Sequence, residues 1–139
     1  MVEGEALATI RVEAMRESLE QVGRFDPMRA RERFLSGFSP KHTRHILQGA
    51  EKVGFLVVKP QVSDLLLDHL YVRPKHQGKG IGAAVLAQVF AEADKVGLPV
   101  RVGALRESAS NRFYARHGFV LVEQTEFDNY YVRYVNNAL

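Results

Sequence analysis

The residues Gln77-Gly78-Lys79-Gly80-Ile81-Gly82 join an apolar strand to an apolar helix, and that position gives them a chemistry. Three glycines at a helix entrance let backbone approach a ligand closely, and the first amide N–H groups of a helix have no partner inside it. With the positive end of the helix dipole, those amides form an anion site suited to a pyrophosphate. Lys75, His76 and Lys79 add side-chain positive charge nearby. Upstream, Leu65-Leu66-Leu67-Asp68-His69-Leu70-Tyr71-Val72 reads as a largely buried strand, stopped by Pro74, whose ring cannot continue a ladder. Downstream, Ala83, Ala84, Leu86, Ala87, Phe90, Ala91 and Ala93 set an apolar stripe at helical spacing. The segment predicts phosphate capture.

Other readings compete for the same turn. A glycine-rich helix entrance can serve tight packing alone, although the basic and polar neighbours here weigh against that. A Walker A loop is excluded, because no Gly-Lys-Ser or Gly-Lys-Thr follows a four-residue spacer. Gly78, Gly80 and Ala83 do fit the G-x-G-x-x-G/A spacing of dinucleotide-binding folds. That fingerprint expects an acidic residue at a strand end about 20 positions on, and Glu107, the nearest candidate, falls late. The chain is also short for a doubly wound sheet with a separate substrate domain. A dinucleotide-binding oxidoreductase is kept as a remote alternative.

Residue by residue, the stretch resembles motif A of the GNAT superfamily of N-acetyltransferases, written Gln/Arg-x-x-Gly-x-Gly/Ala, with Gln77, Gly80 and Gly82 at the motif positions. Asn111-Arg112-Phe113-Tyr114-Ala115-Arg116-His117-Gly118-Phe119 resembles motif B, a helix carrying Phe-Tyr and ending in Gly-Phe. Between them, Leu98 to Leu105 is a plausible strand, giving the family's strand–helix–strand–helix order. The similarity covers residues 43–135, and two motifs in order are more specific than either alone. One position departs from the pattern. Many members carry asparagine seven residues before the motif B tyrosine; here that position is Glu107, and Asn111 lies three before Tyr114.

The resemblance implies an α/β (α+β) fold, a mixed, mostly antiparallel twisted sheet with two splayed central parallel strands, flanked by helices. It implies a single acetyltransferase domain over residues 1–139. Acetyl-CoA would be the acetyl donor, wedged between Leu66–Val72 and Val100–Leu105, and a primary amine would attack it directly in a ternary complex. Backbone at Leu70, Tyr71 and Val72 would pair with the pantetheine arm, the Val72 amide polarising the thioester carbonyl. Amides of Gln77, Gly78, Lys79, Gly80, Ile81 and Gly82 would hold the pyrophosphate, and Asn111 would contact the cofactor.

An attacking amine must be neutral, and the departing thiolate needs a proton or a strong hydrogen bond. Tyr114 is the candidate acid, since a free phenol titrates near about 10, close to the thiol it would protonate. Outside a motif, a tyrosine on an amphipathic helix is more often a core aromatic. For the base, Asp68 shares a strand face with Leu66, Leu70 and Val72 and points to the acceptor site or into a hydrogen-bonded core position. His69 lies on the opposite face with Leu67 and Tyr71, where a lone histidine is more often structural. Glu107, Glu126 and Asp128 are further candidates, and an amine that titrates on its own needs none. The alternative from another class is a non-catalytic acyl-CoA-binding or regulatory domain. Tyr114 argues against it, while Glu107 and the missing first strand argue for it.

Composition fits a compact enzyme domain. The chain has 139 residues, 46% hydrophobic and 25% charged, enough for a real core. No apolar run approaches the roughly 18 residues of a membrane span. Glu3 and Glu5 precede any apolar stretch, unlike a signal peptide. There is no cysteine, which removes disulfides, cysteine nucleophiles and thiolate metal sites and is compatible with the cytoplasm. The net charge of +3 is a mild bias. Arg24, Arg29, Arg31 and Arg33, interrupted by Asp26 and Glu32, read as a solvated helix face before an acceptor site for an acidic substrate, and no nucleic-acid partner is implied. His42 and His45 lack an acidic partner for a metal site and would face opposite ways on a strand. No Gly-x-Ser-x-Gly elbow is present.

The remaining elements follow from periodicity. Leu7, Ile10, Ala14, Leu19 and Val22 predict a first helix ending near Gly23. Asp26-Pro27 starts a second, carrying Phe34 and Leu35 and stopping near Gly37, before Pro40. Strands follow at Thr43–Leu47 and Val53–Val58 around Gly49, and at Phe119–Glu123 and Tyr130–Val135. A typical GNAT domain opens with a short strand for which this chain has little room; that strand is missing or the reading frame has been taken short. In the family the first helices and late strands shape the acceptor pocket. Arg29, Arg33, Asp128 and Tyr130 would then serve a small-molecule or peptide amine. Tyr130-Tyr131-Val132 reads as an exposed aromatic strand for a homodimer interface.

Overall fold

The computed structural model describes residues 2–21, 27–36 and 39–135. Arg24, Asp26, Val22, Gly23 and Gly37 lie outside them. The elements run α1 (Val2–Gln21), α2 (Pro27–Ser36), β1 (Thr43–Gln48), β2 (Glu51–Pro60), β3 (Leu65–Val72), α3 (Ile81–Val96), β4 (Val100–Leu105), α4 (Ser110–Arg116), β5 (Val120–Gln124) and β6 (Asp128–Arg133). Short 3-10 turns occupy Pro40–His42 and Pro74–His76. The six strands form one sheet in the order β1-β2-β3-β4-β6-β5. β3 and β4 form a parallel pair, at Leu65↔Val100 and Leu66↔Arg101. The hairpin β1/β2 and the pairs β4/β6 and β5/β6 are antiparallel. A mixed, mostly antiparallel sheet is what the resemblance implies, and it rules out the doubly wound sheet of a dinucleotide oxidoreductase.

The chain forms two compact units, Met1–Val57 with His69–Ile81 and Val58–Asp68 with Gly82–Leu139. In the first, Leu7, Ala8 and Ile10 of α1 pack on Phe55 and Val57 of β2, flanked by Leu35 and Tyr71. Leu7 and Ile10 share a helix face because they are three residues apart. β2 is buried without interruption from Val53 to Val58, the pattern of a strand covered on both faces. It is longer than the apolar run predicts because hydrogen bonding recruits polar residues: Lys52 pairs with Leu47 and Glu51 with Gln48. Gly49 closes that hairpin at φ 63°.

Gly54 sets the spacing of the next strand. A Cβ built there would lie 2.2 Å from the Tyr71 carbonyl oxygen and 3.1 Å from the Val72 Cα. Glycine is therefore required by close approach of backbone, not by a turn.

In the second unit β4 alternates, with Val100, Val102 and Ala104 buried and Arg101 and Gly103 exposed. α3 presents Leu86, Val89 and Ala93 to the core. Arg133 fastens β6 to α3 by two hydrogen bonds to Asp94, at 2.6 and 3.1 Å, and its guanidinium sits 4.4 Å above the Phe90 ring. β4 begins two residues later than predicted because Leu98 and Pro99 are spent on other bonds: Leu98 donates to Ala93, and the Pro99 carbonyl accepts from Leu65.

The proposed dimer strand needs correction. β6 lies between β4 and β5, and Tyr131 and Val132 are 6% and 5% exposed. The two edges of the sheet are β1 and β5, and on β5 Val120, Leu121 and Val122 are all exposed. Its ladder slips between Leu121 and Glu123, a bulge of the kind that disfavours edge-to-edge pairing.

Replacing Gly54 by alanine should lower stability by about 1–3 kcal/mol or more, because the methyl must push β3 backbone aside. Denaturant unfolding of Gly54→Ala beside the parent chain measures it; an unchanged midpoint would contradict the close approach.

Candidate active site

The turn after β3 is built from three local devices. Pro74 ends the strand and opens the 3-10 turn, whose amides return to it: His76 donates to the Arg73 carbonyl at 2.8 Å and Gln77 to that of Pro74 at 3.2 Å. Gly78 and Gly80 then take φ of 76° and 80°, a region where side chains are disfavoured. No atom lies within 4 Å of a Cβ built at either glycine, so their need is conformational and the space beside them is open. The Gln77 side chain folds back, its Nε2 donating to the Val72 carbonyl at 2.8 Å. Within the first unit the turn and the end of β3 are thus tied together.

Gly82 differs from the other two. A Cβ there would meet the Phe113 ring at 3.0 Å. In the second unit this third glycine serves tight packing and brings the start of α3 against α4.

The charge around the turn is more balanced than the sequence suggests. Glu51 accepts from His76 Nε2 at 3.2 Å and pairs with Lys75 Nζ at 3.3 Å. The hydrogen bond from His76, then that from Lys75, holds the Glu51 carboxyl below the usual carboxylate range. Two of the three basic side chains expected to face an anion, Lys75 and His76, are therefore engaged by a carboxylate, while Lys79 stays exposed. For a depressed carboxyl, the interaction is present above its ordinary titration range and lost as pH falls through the lowered one.

The candidates on β3 separate. The Tyr71 hydroxyl accepts from Arg11 Nε at 3.2 Å and lies 3.1 Å from His69 Nδ1, and both rings contact Phe55. His69 is thereby held between the Tyr71 hydroxyl and the Phe55 ring. Asp68 is exposed and paired with Lys59 at 3.0 Å, outside the core position considered for it. Leu70 and Val72 are half-buried.

In the second unit Tyr114 is 6% exposed, its ring 5.2 Å from Phe119, 5.6 Å from Phe113 and 6.2 Å from Tyr131. Asn111, one helical turn earlier, spends its side chain inside the protein. Its Nδ2 faces the carbonyls of Leu105, Ser108 and Arg106 at 2.7, 2.8 and 3.1 Å. Its Oδ1 accepts from Asn129 Nδ2 and the Tyr131 hydroxyl, both at 2.8 Å. An amide has two N–H donors and two acceptor sites, so this capacity is used in full. Asn111 holds α4 to the end of β4 and to β6 rather than presenting a group to a ligand.

Glu107 and Glu126 are exposed in turns, Asp128 and Tyr130 are half-buried at the start of β6, and Arg29 is exposed on α2. The side chain of Arg33 lies outside the described residues. Glu51, Gly54, Asn129 and Tyr131 carry no local signal that marks them, because their partners lie far along the chain. Among the described residues no cluster of three or more His, Cys, Asp or Glu could hold a metal. No helix among them is long and apolar enough to cross a membrane.

Asn111→Ala should cost about 1–3 kcal/mol, since it strands the buried Asn129 amide and the Tyr131 hydroxyl. Asn111→Asp should do no better, despite its shape, because a carboxylate oxygen would replace N–H groups facing three carbonyls. Thermal or denaturant midpoints of both variants check this; an aspartate variant as stable as the parent would refute the clamp.

The model of the acetyltransferase (GNAT) domain matches residues 41–121, more than half of the chain. No curated protein matches this chain. Among solved structures, the PaiA N-acetyltransferase of Thermoplasma acidophilum in complex with coenzyme A is 17% identical, with TM-score 0.79 over 95% of this chain and 92% of that one. An acetyltransferase of Thermus thermophilus is 23% identical, with TM-score 0.68 over 91% and 89%. A GNAT family acetyltransferase of Elizabethkingia anophelis with acetyl-CoA bound is 17% identical, with TM-score 0.57 over 64% and 72%. The match spans both the glycine turn and the Tyr114 helix, and the fold is shared with these enzymes: the chain belongs to the GNAT acetyltransferase family.

Proposed function

We propose that this protein transfers the acetyl group of acetyl-CoA to a primary amine by direct attack in a ternary complex. The observation that carries the reading is the glycine turn, with Gly78 and Gly80 in left-handed conformations, open space where a Cβ would be, and its start tied to β3 by Gln77. Amides of Gly78, Lys79, Gly80, Ile81 and Gly82 bind the pyrophosphate, with Lys79 adding charge, while Gln77, whose amide is spent on the Pro74 carbonyl, serves the site by tying the turn to β3. Backbone of Leu70, Tyr71 and Val72 takes the pantetheine arm. Acetyl-CoA supplies the activated acetyl group.

The amine nitrogen forms the new bond to the acetyl carbon, and the carbon–sulfur bond breaks. Tyr114 gives its phenolic proton to the departing sulfur. Asp68, held by Lys59, is the candidate to take the proton that an ammonium acceptor loses before attack; an amine arriving neutral needs no such base, and the proton its nitrogen sheds on acylation restores the Tyr114 phenol. Asn111 acts by positioning Tyr114. The acceptor is a small-molecule or peptide amine, and the absence of cysteine accords with a cytoplasmic setting.

Acetyl-CoA at 100 times its dissociation constant should stabilise the protein by about 2.7 kcal/mol, with NADH as the control that gives nothing. Thiol release in the presence of a panel of amines should follow, and Tyr114→Phe should lower kcat about a hundredfold while the thermal shift persists. A shift without thiol release for any amine would favour the non-catalytic acyl-CoA-binding domain. No shift with acetyl-CoA would sink the proposal.

A further inference from the structure

His76 sits immediately before the glycine turn, yet 93% of its surface is lost to the protein, being only 7% exposed. A carboxylate only accepts hydrogen bonds, so the bond to Glu51 fixes the imidazole proton on Nε2. Nδ1 is buried and has no hydrogen-bond partner among the described residues. The ring therefore acts as a peg driven into the first unit with one polar contact, at the first residue of β2. The same stretch is held to β2 a second time, by the Arg73 amide on the Val53 carbonyl at 2.8 Å. From there Gln77 reaches back to Val72, and the left-handed glycines follow.

We propose that His76 and Glu51 form a positioning pair that fixes the phosphate turn for the cofactor before it binds. This rests on the acetyl-CoA reading above. Two glycines without side-chain contacts leave the turn little to hold it in shape, and ordering a loose turn on binding costs affinity. The peg removes that cost in advance. Glu51 plays a second part with the opposite sign: by pairing Lys75 it withdraws a cation from the neighbourhood of a polyanionic ligand.

The two parts separate by substitution, with coenzyme A affinity measured by calorimetry and acetyl-CoA kinetics beside it. His76→Ala should weaken coenzyme A binding about tenfold and raise KM for acetyl-CoA alike, leaving kcat at saturation unchanged. His76→Gln, which can still offer an N–H to Glu51, should recover part of the affinity. Glu51→Gln keeps an acceptor for Nε2 and frees Lys75, so it should bind as tightly as the parent or more so. Glu51→Ala should resemble His76→Ala, and as Glu51 is exposed this variant will fold even where His76→Ala does not. If the parent binds coenzyme A and Glu51→Ala and His76→Ala bind it equally well, the pair positions nothing. A fall in kcat with unchanged KM would also overturn it. A parent that fails to bind coenzyme A would instead remove the cofactor reading itself.

Discussion

The stretch that leads into the glycine turn depends on how closely β2 is allowed to approach β3 at Gly54. The Tyr71 carbonyl occupies the space of a missing side chain, and one residue earlier on β2 the Val53 carbonyl takes the Arg73 amide. Two residues before that, Glu51 receives His76 and Lys75. One strand thus holds the last residues of β3, the 3-10 turn and the start of the glycine turn from behind. Apolar packing of Phe55 and Val57 under α1 supplies the rigid base from which it does so. The polar contacts are individually modest, since Glu51 is exposed. What they supply is direction, and the stability comes from the burial beneath them.

α4 shows the same division of labour in another form. It has seven residues, and its first turn has no side-chain cap. A helix that short does not hold itself together in water, so its shape is imposed from outside. Asn111 imposes it from one end by saturating three carbonyls and two donors, and the ring of Tyr114 imposes it from the other among Phe113, Phe119 and Tyr131. Tyr131 takes part in both, through its hydroxyl and its ring.

Elements defined by their own residues were legible in the sequence. β3 was readable from an apolar run ended by Pro74, α3 from its stripe of alanines and Leu86, and the two helices before them from Leu7, Ile10 and Pro27. What could not be read were roles set by partners distant in the chain. Glu51 lies 25 residues from His76, and Asn111 lies 20 from Tyr131. Nothing local distinguishes a carboxylate that engages Lys75 and His76 from one in solvent. Asn111 has the right chemistry either for a cofactor contact or for a clamp, and only the five groups around it decide. The same limit explains β6: an aromatic strand reads alike at an edge or in the interior, and its place between β4 and β5 is a matter of topology.

The three glycines of the turn illustrate why a motif is not one physical requirement. Gly78 and Gly80 satisfy the backbone, since their φ angles exclude most side chains while the surrounding space would admit them. Gly82 satisfies a neighbour, since its conformation is ordinary helix and its missing Cβ is filled by Phe113 at 3.0 Å. Phe113 is bonded in sequence to Tyr114, so the last glycine of the first motif bears on where the tyrosine of the second can stand. A methyl at Gly82 would press on that ring and, through it, on α4, without altering any group that meets a phosphate. The order and separation of the two motifs are therefore constrained by packing as well as by chemistry, which is why together they identify the family better than either turn or helix alone.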